Sequence, residues 1–500
     1  MLKRIIIPLI VFTLLLGTLA LRPNAVLAQR DTTAIPGVWT NAVLIRNTSE
    51  TAAAGVRIDF YQGSSLVLSY PAPSAPALNI DANGLLNVFI PDLSQLGRGQ
   101  YSAVVSSNQK VAVSVQISSV DQITAPWTAF AYEGVDAANT AQKLFFPAAM
   151  KSFYGFFSEV VIQNTSATTA TTLTADFYSA TGTKLNLIPI QLGTLAANGT
   201  KTYATSDALF TSLPSGPTGS FGMVVNSSAT NIAGIANVWR TTPTNMSASY
   251  NAFISGSRTA YAPNLMNRFY GFGSALSIQN VDQTDTAVGT VTYSGGGIER
   301  FSLAPNASIM FLQFNRNTTE GQTIPSGNVN GTFSAKIEVT STGGSIVAVV
   351  GYSRSPELNG GAILGDYAYY NCPSQPTPKV IVPSVMSNFY GFFTNISVQN
   401  TGDPTYIQLT YQDGKTWRTP APIPTNGIAN FNHLAKNPNN PFGSVRTSTA
   451  AIASAVDVNG NPTTSPLVVL VQHNTDPSVL GYKGRIPGDY LHVFSGTPMQ

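Results

Sequence analysis

Apolar and polar positions alternate, or apolar positions run together, over short segments rich in β-branched and aromatic residues; within one stretch these are 160–163, 172–178, 219–225 and 232–238. Gly, Asn, Pro and Ser clusters such as Ala180-Thr181-Gly182 and Pro214-Ser215-Gly216-Pro217 separate them. A period of two broken by turn residues predicts antiparallel β-strands. Beyond the first thirty residues no window holds a helical period, so the chain is expected to be all-β.

The same pattern returns at a fixed interval. Pro147, Met150, Phe153-Tyr154-Gly155-Phe156, Ser158, Val160 and Ile162-Gln163-Asn164 recur as Pro263, Met266, Phe269-Tyr270-Gly271-Phe272, Ser274, Leu276 and Ile278-Gln279-Asn280. They recur again as Pro383, Met386, Phe389-Tyr390-Gly391-Phe392, Thr394, Ile396 and Val398-Gln399-Asn400. Asn164, Asn280 and Asn400 are 116 and 120 residues apart, and a reduced copy ending at Asn47 lies 117 before Asn164. Internal repetition of this kind sets the architecture before any local motif is weighed. A second landmark keeps step: Gly99-Gln100-Tyr101, Gly219-Ser220-Phe221, Gly331-Thr332-Phe333 and Gly443-Ser444-Val445, each followed by an apolar run (111–115, 232–238, 346–350, 467–471) that reads as a central strand. Val43/Ile45, Val160/Ile162, Leu276/Ile278 and Ile396/Val398 are expected to face the core.

Units of this size can each bury a core. Two sheets packed face to face, an immunoglobulin-like sandwich, is the expected closure. The predicted organisation is a signal peptide over 1–28 and four repeats over 29–140, 141–258, 259–375 and 376–500. Lys3 and Arg4, the apolar run 5–21 and Ala25-Val26-Leu27-Ala28 are the features of a cleaved leader. Linkers are expected near 133–143, 255–260 and 371–379, the last stiffened by Pro373, Pro376 and Pro378. Laid end to end, such domains would make a rod of about 150 Å.

Charge narrows the partners. Removal of the leader takes Lys3, Arg4 and Arg22 from 26 basic residues against 23 acidic ones, leaving a neutral chain. Only 10% of residues are charged, against about 25% in ordinary soluble domains. Nothing supplies the basic patch that nucleic acid needs, and a neutral surface favours self-association. A second copy or other surface proteins, and surface polysaccharide, are the expected partners, with no membrane span after leader removal. The lone Cys372 excludes an internal disulfide; set in a Pro-rich linker, it is a candidate intermolecular thiol.

Chemistry is sparse. Gly-x-Ser-x-Gly, His-Glu-x-x-His, Gly-x-x-x-x-Gly-Lys and Gly-x-Gly-x-x-Gly are all absent. His433, His473 and His492 show no metal-ligand spacing and are expected on the surface. No cofactor, metal or catalytic residue is expected. The repeated aromatic motif has three readings: core residues at a strand entrance, a seal against the preceding domain, or an exposed platform for sugar rings. Its loss from the copy that has no domain before it favours the seal, made by Met150, Phe153, Tyr154, Met266, Phe269, Tyr270, Met386, Phe389 and Tyr390. The strand-ending asparagines are expected to be structural turns.

In Phe-Tyr-Gly-Phe-x-[Ser/Thr]-x-aliphatic-x-aliphatic-Gln-Asn, followed by Asp-Phe-Tyr or Thr-Tyr and then Gly-[Ser/Thr]-Phe, all four units resemble the tandem Ig-like repeats of large secreted surface proteins of filamentous bacteria. The resemblance implies a secreted or cell-surface location and a structural or adhesive role without catalytic residues. The expected function is a non-enzymatic contribution to a surface layer, sheath or adhesive matrix, with a carbohydrate-binding array as the alternative and a secreted hydrolase as third choice.

Overall fold

The computed structural model describes residues 39–97, 99–119, 128–242, 245–314, 318, 321–327, 331–354, 366–389, 391–475 and 491–499, and the backbone of 3–9. They form antiparallel sheets connected by turns and three-residue 3-10 helices.

The second repeat shows the plan. Its strands are Lys143–Phe153, Phe156–Asn164, Thr171–Tyr178, Ile190–Leu195, Thr200–Ala204, Ser220–Ser227, Ile232–Arg240 and Met246–Asn251. One layer runs fourth, third, sixth, first; the other runs fifth, second, seventh, eighth. Leu144 and Phe146 from one layer and Val160 and Ile162 from the other share a single core. The third repeat has the same order, and so does the fourth, with Thr497–Pro498 added beside its first strand. The order differs from the expected immunoglobulin arrangement, in which the first strand lies beside the second and the last beside the sixth. Here the first strand lies beside the sixth and the seventh beside the second.

The first two strands are a hairpin only at its tip, pairing at Lys151↔Phe157 and Phe153↔Phe156. The first strand otherwise pairs with Ser220–Ser227, through Met150, and bulges within that pairing at Pro147, which has no N–H for a ladder. The same register shift brackets Pro263 and Pro383.

In the first repeat the place of the first strand is taken by Lys3–Leu9, from the segment expected to be the leader. It pairs with Tyr101–Ser107 from Lys3↔Ser107 to Leu9↔Tyr101.

The four repeats do not make a rod. The eighth strands, Ala129–Glu133, Met246–Asn251, Tyr367–Asn371 and His492–Ser495, meet around one axis, where three residues from each line a small hub. Glu133 and Asn371, expected in linkers, end two of these strands. Asn251 donates through Nδ2 to Glu133 O (2.7 Å), Asn371 through Nδ2 to Asn251 O (2.8 Å) and Ser495 through Oγ to Asn371 O (3.1 Å). The Ser495 N–H then donates to Glu133 Oε1 at 2.6 Å, closing the circle.

Closure explains the apolar runs. The layer holding the second and seventh strands is covered inside by its own core and outside by a neighbouring repeat, so Ile232–Val238 and Ile346–Val350 are buried on both faces. Val43, Ile45, Val160, Ile162, Leu276, Ile278, Ile396 and Val398 all lie in the core as expected.

Candidate functional site

The Phe-Tyr-Gly-Phe motif is first a turn. Tyr154 (φ 48°) and Gly155 (φ 81°) are the central residues of a two-residue hairpin, and Tyr270 (φ 48°) and Gly271 (φ 84°) repeat it. Positive φ at both positions is the mirror-image turn whose twist suits a hairpin. Glycine adopts it freely, whereas tyrosine at such φ is an outlier. The residues just before the motif, Ser152 (φ 57°), Arg268 (φ 60°) and Asn388 (φ 49°), are left-handed too. The rest of the motif closes the gap left by proline: the Met150, Met266 and Met386 N–H groups donate to the hydroxyls of Ser158 (2.8 Å), Ser274 (2.7 Å) and Thr394 (2.7 Å).

Met150, Met266 and Met386 are buried, and Phe153, Phe269 and Phe389 half-buried. Tyr154 is 63% and Tyr270 55% exposed, each ring edge-on to the preceding Phe at 4.7 and 4.8 Å. Tyr390 lies outside the described residues. In the second repeat the motif adjoins the repeat that follows it. Phe156 stacks on Tyr367 (4.5 Å), and Met150 shares a cluster with Val349, Tyr367 and Tyr369. Between these repeats lies a cavity of about 380 Å³, with Tyr154 at its lining beside Phe153, Phe156, Met310, Phe314 and Arg240.

Corresponding surfaces join the other repeats. Phe157 stacks on Trp239 (5.2 Å) against the cluster of Trp39, Phe130 and Tyr132 in the first repeat. Asn264 Nδ2 donates to Ser397 Oγ (2.9 Å) between the third and fourth. The fourth repeat meets the first through polar groups. Gln116 Nε2 donates to His473 Nδ1 (2.9 Å), whose Nε2–H reaches Ser384 O (3.2 Å). His492 Nε2 lies 3.2 Å from both Ile117 O and Ser118 Oγ. Arg46, in the position of Gln163, Gln279 and Gln399, donates from Nη1 to Val382 O (3.2 Å).

These residues correct two expectations. The histidines are interior groups: burial lowers His473 to about 3, with His492 adding to the effect, and lowers His492 to about 4. His433 sits in the fourth repeat's core with its Nε2 2.6 Å from the Tyr411 hydroxyl and is lowered to about 4 by burial. Cys372 is 4% exposed within the third repeat's core, and burial pushes its thiol well above the usual range, so it is not placed to bridge two molecules. Burial also raises the Glu133 carboxyl to about 7, opposed by the Ser495 N–H.

Asn47, Asn164, Asn280 and Asn400 are turn keystones. Each is fully buried, donates Nδ2 to a carbonyl of the turn it opens and to one of a distant segment, and accepts on Oδ1 the N–H two residues on. Among the described residues no three metal-ligating side chains converge, and no helix is long and apolar enough to cross a membrane. The hub residues escaped sequence reasoning. Their signal is an aromatic followed by a polar residue, Tyr132-Glu133, Tyr250-Asn251, Tyr370-Asn371 and Phe494-Ser495, recurring at 118, 120 and 124 residues.

No family model matches the chain, and no curated protein matches it. A solved structure of a tetra-tandem repeat in the extending region of a large adhesion protein aligns over 92% of this chain and 95% of its own, at 12% identity and a TM-score of 0.11. At that score the two chains do not superpose.

Proposed function

We propose that the chain is a non-enzymatic, secreted or cell-surface protein of four two-layer β-sandwich repeats, which acts by adhesion through the tyrosines of its hairpin tips. The observation that carries this reading is Tyr154 and Tyr270, exposed and held at positive φ. Such a backbone costs a residue other than Gly or Asn about 1 kcal/mol or more. Glycine or asparagine would relieve it at both tips, yet each presents an aromatic ring to solvent, and an exposed ring with one polar end suits contact with a partner. The neutral, charge-poor surface supports association with a second copy or with other surface proteins. Because the fourth repeat covers the outer face of the first, assembly is expected through the tips rather than end to end.

The same tyrosines favour a second reading, an array that stacks on the rings of surface polysaccharide. Electron microscopy of the purified protein and a glycan array, each run with Tyr154→Ser/Tyr270→Ser, separate the two. Ordered assemblies lost in the variant support adhesion by self-association, and a glycan signal lost in the variant supports the alternative. Unchanged behaviour of the variant in both assays, or hydrolysis of a polysaccharide by the purified chain, would overturn the tip reading.

A further inference from the structure

The cavity between the second and third repeats contains a cation with no counter-ion among the described residues. Arg240 ends the seventh strand of the second repeat with its guanidinium over the Phe156 ring at 4.6 Å. Nη2 is 2.9 Å from the Met246 sulfur, and Nε is buried without a hydrogen-bond partner. Among the described residues no carboxylate lies within ion-pair distance of it.

The third repeat shows the same arrangement with a carboxylate added, its arginine Nε likewise buried without a hydrogen-bond partner. Arg354 ends the corresponding strand and stacks over Phe272 at 5.2 Å, but it pairs with Asp366 at 3.3 Å. Arg240 lies opposite Met246 across the strand pair as Arg354 lies opposite Asp366. A thioether is a weak acceptor and carries no charge. Leaving a partly desolvated guanidinium unpaired is unfavourable, so the site is electrostatically incomplete.

We propose that this cavity binds a small carboxylate with an aromatic or short alkyl body, its carboxylate on Arg240 in the place that Asp366 fills one repeat later. The walls select the body. Phe153, Phe156, Met310, Leu312, Phe314 and Tyr367 form an apolar lining, and about 380 Å³ is within the range of small-molecule sites. The proposal does not rest on the adhesive reading, since it concerns a joint within one chain.

Titration of 3-phenylpropionate into the full chain by calorimetry tests it. Saturable one-to-one binding is expected, weakened at least tenfold by Arg240→Met. The isosteric alcohol 3-phenylpropanol should bind the unaltered protein at least tenfold more weakly than the acid, a comparison that needs no variant to fold. Met246→Asp supplies the missing carboxylate internally and should abolish binding while the thermal transition persists. Equal binding of acid and alcohol, no saturable binding of the acid, or undiminished binding to folded Met246→Asp would each overturn the proposal.

Discussion

The joint between the second and third repeats and the seam between the fourth and the first occupy equivalent positions but are built from opposite materials. The joint is aromatic: Phe156 on Tyr367, Tyr250 on Tyr369 at 5.4 Å, and a cluster continuous with the second repeat's core. The seam is polar: Gln116 to His473, Ser118 to His492, Arg46 to Val382 O and Ser495 to Glu133. Among the described residues of the first repeat, only Ala131 enters the fourth repeat's apolar cluster. Apolar burial is indifferent to pH, whereas buried titratable groups make stability depend on it. The joint should therefore be constant across conditions and the seam conditional.

Acid should expose the contrast most strongly. His473 and His492 are held neutral, so the unfolded chain binds more protons and their contribution is present above pH 6.5 and lost as pH falls to about 3–4. The expected loss is about 8 kcal/mol for the pair, read as the pH dependence of urea unfolding. His473→Gln/His492→Gln should remove most of that slope and leave the share of His433; an unchanged slope would place the acid sensitivity elsewhere. Next in size, Phe156→Ala should cost about 4 kcal/mol by emptying the centre of the joint, with the same cost at pH 5 and pH 8 if the joint is pH-indifferent.

Glu133 works in the opposite direction to the histidines. Its carboxyl is raised to about 7, so its contribution is full below 4.5 and lost as pH rises through 7, a change of about 3 kcal/mol. Glu133→Gln should flatten that limb, and the wild-type seam should be tightest near pH 7, where the gain from the neutral histidines balances the loss from Glu133. The smallest effect belongs to the hairpin tip. Tyr154→Asn relieves the left-handed backbone and should stabilise by about 1 kcal/mol in thermal unfolding; destabilisation would mean that the Phe153 contact outweighs the strain.

Much of the fold was legible because it is local. Strand period, turn clusters and the 117-residue repeat placed the core at Val160, Ile162 and their counterparts, and the asparagine turns followed from the side chain's own chemistry. The departure from the immunoglobulin strand order was not legible, since the strand pattern does not register that the first strand pairs with Ser220–Ser227 on both sides of Pro147 and meets the second strand only at the hairpin tip. The aromatic motif misled because Gly155 is specified by backbone conformation, while Tyr154 sits in that turn against its backbone preference. Ring closure was the least legible feature. It rests on contacts between residues more than 300 positions apart, such as Arg46 with Val382 and Glu133 with Ser495, and the polar histidine seam resembles ordinary surface until its partner arrives. Cys372 likewise read as linker because its Pro-rich surroundings concealed a place in the third repeat's core.

The hub of Glu133, Asn251, Asn371 and Ser495 also changes how the repeats must come apart. In a linear array the outermost units have one neighbour each, so they fray first and need special caps. A closed circuit has no outermost unit, and any repeat that opens breaks two interfaces at once. The array should therefore melt in a single transition rather than unravel from an end, and its first local opening should be at the seam, the one junction that no adjacent stretch of chain ties together.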